Sequence, residues 1–94
     1  MDKIKIGYSD YDIIVQSSDS PLMVDGDECF GIIEHDNKKI YLNERFNKDQ
    51  QNETLLHEVI HGIDEFMNIG LTEDQVERLG KGIYLVLKEN NLLK

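Results

Sequence analysis

The sequence predicts an α+β fold: a small antiparallel β-sheet of about three strands, then two helices, the first carrying His-Glu-x-x-His. Three observations predict it. Short runs of β-branched and aromatic residues, bounded by turn formers, fill the first half of the chain. From Lys48 onward apolar residues recur at intervals of three and four instead. No repeat, linker or low-complexity tract divides the 94 residues, so residues 1–94 read as a single domain.

The elements follow in order. Tyr11 to Val15, "YDIIV", is a strand that the turn formers of "SSDSP" end. The stretch "SPLMVDGDE" fits a short strand or a packed loop, with Leu22, Met23 and Val24 as its apolar residues. "CFGIIEHDNKKIYLNE" reads as a β-hairpin, with Phe30 to Ile33 and Ile40 to Leu42 as arms and His35, Asp36 and Asn37 in the turn. In the first helix Leu55, Leu56, Val59, Ile60, Ile63, Phe66 and Met67 form the apolar face. Gly70 of "NIG" is placed to cap it in the left-handed conformation. Thr72 and Gln75 make a capping box for the second helix, which carries Val76, Leu79, Ile83, Tyr84, Val86 and Leu87 and ends near "ENNLLK".

Composition narrows the function. The chain is 39% hydrophobic and 31% charged, as in an ordinary globular protein. Its single cysteine, Cys29, permits no internal disulfide and reads as a small buried hydrophobe. The start "MDKIKIGYSD" is too polar for a secretory signal, and no apolar run is long enough to span a membrane, so the expected location is cytoplasmic. A formal charge of −9 with no basic stripe argues against nucleic acid as a partner.

The chemistry concentrates in "TLLHEVIHGID", Thr54 to Asp64. His57 and His61 are four apart, so they stand one above the other on one helical face, with β-carbons roughly 5–6 Å apart. Two imidazoles held so can bind one Zn2+ ion, which takes nitrogen and carboxylate ligands and leaves a position for water. Glu58 projects beside the pair, where it can act as general base on the attacking water. A shuffle of this composition would produce the motif in roughly half a per cent of cases, and here it sits inside a strongly periodic helix. The competing reading is a helix whose histidines are merely tucked against the sheet.

A catalytic zinc needs a third protein ligand. His35 is the remaining histidine, in the hairpin turn. Asp64 and Met67 stand where a metzincin would have glycine and histidine, which excludes that class. On the second helix Glu73, Glu77, Gly80 and Tyr84 share one face. One glutamate should close the site and the other hydrogen-bond a ligand histidine. A tight hairpin at Gly70 would put about position 79 level with His61, which favours Glu77; a splayed pair removes that advantage. Tyr84 is a candidate donor to a developing oxyanion, or a core residue with its hydroxyl at the edge. Asp64 either orients His61 or is a solvated helix charge.

"TLLHEVIHGID" followed by "GLTEDQVERLGKGIYLVL" resembles the ImmA/IrrE-like metallopeptidases, especially small phage- and prophage-encoded members, and more broadly the gluzincins. The resemblance covers roughly Lys39 to the end of the chain. It implies a minimal zincin-like domain with Glu73 as third ligand and Glu77 as the hydrogen-bonding partner. The chain departs from the pattern in having glutamate at that partner position and only 12 positions between His61 and Glu73. The resemblance also implies that substrate adds to an edge strand, here the arm Ile40 to Leu42 that precedes the metal helix. The resulting expectation is a zinc metallopeptidase acting on a peptide or protein substrate, a specific partner protein among the candidates. The alternative is a catalytically silent zinc-containing protein-binding module.

Overall fold

The computed structural model describes residues 2–92. It holds a four-stranded sheet, a small two-stranded ribbon and two helices, in the order β1 (Lys3–Ile6), β2 (Ser9–Gln16), β3 (Met23–Val24), β4 (Asp27–Glu28), β5 (Gly31–Glu34), β6 (Lys39–Asn43), α1 (Lys48–Met67) and α2 (Glu73–Glu89). The α+β class and the strands-then-helices order stand as expected. The hairpin arms are β5 and β6, and both helices occupy the predicted segments. No helix among the described residues is long and apolar enough to cross a membrane. Leu93 and Lys94, the last residues of "ENNLLK", lie outside the described residues.

The sheet itself differs from the expectation in two respects. It has four strands rather than three, because "KIKI" at residues 3–6 forms β1 and pairs antiparallel with β2. It is also mixed rather than antiparallel: the strand order is β1-β2-β6-β5, and the central pair β2·β6 is parallel. The physical reason is the path of the chain after β2. Residues 17–30 carry it past one strand position before β5 returns, and the hairpin then folds β6 back into the gap. β6 is thereby paired on both sides, and β5 becomes the edge. The ambiguous "SPLMVDGDE" forms the β3–β4 ribbon, turning at Asp25 and Gly26, both at positive φ (53° and 86°), with Leu22 buried beneath it.

Side chains alternate across this sheet. One face gathers Ile6, Tyr11, Ile40 and Leu42 into the core, with Ile4, Ile13 and Ile33 around them and Leu55 and Val59 of α1 laid on top. The other face is solvated and carries cross-strand pairs, Lys3 with Asp12 at 3.1 Å and Lys5 with Asp10 at 3.4 Å. Gly7 turns β1 into β2 at φ +63°, and a Cβ there would stand 2.4 Å from the Phe66 ring. That turn therefore needs glycine twice over: for its conformation and to let α1 lie against it. Asn43, fully buried at the end of β6, donates to Glu28 Oε2 (2.9 Å) and to the Cys29 carbonyl (3.0 Å). These bonds tie the segment before β5 to the sheet and so fix one wall of the cleft described below.

Both helix starts obey local rules. Asn47 caps α1 by accepting the Gln50 N–H at 2.8 Å. Thr72 and Gln75 cap α2 reciprocally, as their spacing predicts. The end of α1 corrects the expectation: Asn68, at φ 54° and ψ 51°, is the left-handed cap, and Gly70 follows at φ +88° within the linker. Asparagine tolerates this conformation better than other side-chain-bearing residues, so the helix stops two residues before the glycine. Leu79, Ile83 and Val86, expected on the packed face of α2, are exposed; Val76, Gly80 and Tyr84 are the buried positions.

Candidate metal centre

The middle of α1 and the start of α2 bring the predicted residues together. His57 Nε2 lies 2.8 Å from Glu73 Oε1, and His61 Nε2 lies 3.0 Å from Glu73 Oε2. One carboxylate thus spans both imidazoles. The two rings are 4.9 Å apart, as a spacing of four on one helix face dictates. His57 also meets Glu77, with Nδ1 3.1 Å from Oε2. Each glutamate takes a different nitrogen of the same ring.

Why Glu73 spans the pair is a matter of helix register. The Asp64 side chain accepts the Gly70 N–H at 2.7 Å and the Leu71 N–H at 3.1 Å. Its carbonyl accepts the Asn68 and Ile69 N–H groups as well. The linker is clasped back along the last turn of α1 instead of extending beyond it. Gly80 consequently packs beside His57, its would-be Cβ only 3.5 Å from His57 Cα, where a tight hairpin at Gly70 would put about residue 83. α2 is displaced by about one turn, and Glu73 comes within reach of both histidines. Asp64 neither orients His61 nor stands free in solvent. It sets the position of the next helix, a role that its spacing to Gly70 and Leu71 signals only once the turn is known.

His57, His61 and Glu73 offer three ligand atoms within 4.8 Å of one another, and they are the group of this kind found among the described residues. Tetrahedral zinc at 2.0–2.1 Å from each ligand would need these atoms about 3.4 Å apart. The contacts of 2.8 and 3.0 Å use the two different oxygens of Glu73, and with one ligand atom taken from each residue the three lie within 4.8 Å of one another, so a side-chain adjustment of about an ångström brings them to that spacing. Glu73 is an exposed side chain at the open end of the site, free to give that much. Two imidazoles and a carboxylate are a borderline donor set that zinc prefers. The residues present therefore fit a zinc ion.

Glu58 is buried and lines the same cleft. Burial pushes its carboxyl up to about 7, the neighbouring His57 opposes this, and the Glu73 charge adds to it. A carboxyl poised there exchanges a proton near neutral pH. The cleft, about 620 Å³, runs between β5 on one side and the two helices on the other. Gly31, Ile32 and Ile33 line it, so the strand beside the site is the edge strand β5. This corrects the expectation for Ile40 to Leu42, which sit on interior β6. His35 and Cys29 also line the cleft. His35 Nδ1 is buried without a hydrogen-bond partner among the described residues. Cys29 is half-buried, its thiol pushed up by burial and then by the Glu58 charge.

Tyr84 does not line this cleft. Its hydroxyl donates to Asp49 Oδ1 at 2.9 Å, and Lys88 Nζ holds the other oxygen of that carboxylate at 3.0 Å. Tyr84 thus latches the far end of α2 to the first turn of α1, and the role of donor to the reacting centre is not one this geometry gives it. Comparison of the chain with protein-family models, with curated proteins and with solved structures gives no match.

Proposed function

We propose that this chain is a small zinc-dependent peptidase. The observation that supports it most is the convergence of His57, His61 and Glu73 in the cleft that the buried Glu58 also lines. A zinc ion held by those three residues would supply Lewis-acid polarisation of a peptide carbonyl and bring the pKa of an attacking water towards neutrality. Glu58 takes the proton of that water and hands it to the leaving amine as the C–N bond breaks. Glu77 holds His57 through Nδ1, which keeps Nε2 directed at the ligand position. The edge of β5 offers a main-chain ladder to an extended substrate segment beside the site.

The test has two steps. Protein purified without added metal should contain about one equivalent of zinc, and the double change His57→Ala, His61→Ala should remove it. Glu58→Gln should then keep the zinc and lose hydrolysis of an unstructured protein such as casein. Failure to bind zinc on reconstitution at neutral pH would sink the proposal. A partner-dependent effect that survives Glu58→Gln undiminished would leave the zinc-containing binding module in its place.

A further inference from the structure

One end of the cleft holds a carboxylate that neither the metal centre nor the fold uses. A Cβ on Gly31 would stand 2.6 Å from the Thr54 side chain, and one on Gly62 would stand 3.4 Å from that of Ile33. β5 and α1 therefore run in the same direction, and the cleft between them has a Gly31 end and an Ile33 end. Glu53, His57 and His61 follow one another at spacings of four on one face of α1. Glu53 thus stands one turn from His57 towards the Gly31 end, about 6 Å along the axis. It is half-buried and lines the cleft. Glu73 and Glu77 meet His57, whereas Glu53 has no hydrogen bond or ion pair among the described residues. Lys81 of α2 also lines the cleft, but it is exposed and makes no pair with Glu53. Gln50, one turn earlier on α1, donates its amide N–H to Thr54 Oγ1 at 3.0 Å, which leaves its amide oxygen as a second acceptor. Phe30, directly before Gly31, and Val24 of the neighbouring ribbon give the same cleft apolar walls, exposed at 50% and 45%. The Phe30 ring is held in place by Phe46, with centroids 4.5 Å apart.

We infer that this end of the cleft is a subsite for a lysine or arginine side chain, so that the peptides the site favours carry a basic residue about two positions from the bond held at the metal centre. A carboxylate and an amide oxygen, both short of donors, ask for a cation. The walls of Phe30 and Val24 ask for an apolar body, and an aromatic face also attracts a cation. A long basic side chain supplies both, an aliphatic stem and a charged head. An aliphatic residue would cover Glu53 without pairing it, and an acidic one would be repelled by it. The offset of about 6 Å from His57 matches roughly two residues of an extended chain at ~3.3 Å each. A metal ion is the poorer occupant, because Glu53 belongs to no group of three ligands among the described residues. The net charge of −9 draws basic segments to the whole surface, whereas Glu53 fixes one position for them. The place of the basic residue relative to a cleaved bond rests on the peptidase reading; its binding beside Glu53 does not.

Two measurements keep this inference and the peptidase reading apart. The first is binding to the Glu58→Gln protein, which leaves the peptide whole, read by fluorescence anisotropy of a short labelled unstructured peptide. The peptide with a central lysine should bind about fivefold tighter than the same peptide with glutamine there, and the one with glutamate weakest. Adding Glu53→Gln should erase the preference for lysine. Adding Glu65→Gln instead, which removes the same charge from an exposed position elsewhere on α1, should keep it. Equal affinity for the lysine and glutamine peptides, or no binding of either, would overturn the inference. So would a preference that Glu65→Gln reduces as much as Glu53→Gln does. The second measurement maps the bonds cut in casein by mass spectrometry. Lysine and arginine should be enriched at one fixed position within about two residues of the cut, and the ratio of such sites to all others should fall in Glu53→Gln. An unchanged ratio would overturn the inference while leaving the peptidase reading intact. Casein left whole, with the lysine preference in binding retained, would sink the peptidase reading and support the basic subsite.

Discussion

His57 uses both of its ring nitrogens, and this is what separates the two glutamates of α2. Nε2 shares Glu73 with His61, whereas Nδ1 meets Glu77 alone. A residue that contacts both histidines by their outer nitrogens fits a ligand. One that contacts the inner nitrogen of a single ring fits an orienting partner. Under the zinc proposal the two alanine variants should therefore differ. Glu77→Ala should weaken zinc binding by roughly 10–100-fold, the range for loss of an orienting partner, and Glu73→Ala should cost more. Competition against a chromophoric chelator measures both. A larger loss for Glu77→Ala would exchange the two roles.

The elements matter through their register. α1 and α2 are both well capped, yet the site depends on where one begins relative to the other. The Asp64 clasp decides that by accepting two linker N–H groups at 2.7 and 3.1 Å. Hydrogen bonds to a charged group contribute about 1.5–3 kcal/mol each where they are well shielded, and the low end applies at this partly exposed place. Asp64→Ala should lower stability by about 1–3 kcal/mol in urea denaturation. The same variant should weaken zinc binding although Asp64 touches no ligand, because Glu73 loses its level. Zinc affinity unchanged in Asp64→Ala would show that Glu73 finds its place without the clasp. The latch of Tyr84 and Lys88 on Asp49 acts at the other end of the same pair, where the Lys88 bond and then the Tyr84 bond hold the Asp49 carboxyl below its usual range.

For the whole molecule the cost of the site lies in Glu58. Its carboxyl titrates at about 7 in the fold, against an ordinary value of 4.5. Between those two values the native state holds a proton that the unfolded chain has released. Stability contributed by the protonated group is complete below pH 4.5 and is lost as pH rises through 7. The loss is on the order of 3 kcal/mol, a large fraction of what a domain of this size has to spare. Metal-free protein should therefore unfold at lower urea concentration at pH 8 than at pH 5, and Glu58→Gln should flatten that part of the profile. Parallel profiles for the two proteins would place the pH dependence elsewhere.

Read alone, the residues determined whatever depends on spacing within one element. His57, Glu58 and His61 share a helix, so their mutual geometry follows from 3.6 residues per turn. The capping box of Thr72 and Gln75, the hairpin of β5 and β6, and the common face of Glu73, Glu77, Gly80 and Tyr84 were legible for the same reason. Tertiary structure alone decided whatever depends on the placement of one element against another. It inserted β6 between β2 and β5, moving the edge strand from Ile40–Leu42 to Gly31–Glu34. It ended α1 at Asn68, bent the linker onto Asp64, and so brought Glu73 to both histidines and carried Tyr84 away to Asp49. Periodicity fixes angles around one axis. The offset between two axes is set by a few bonds in the turn, and those bonds leave no periodic trace in the sequence.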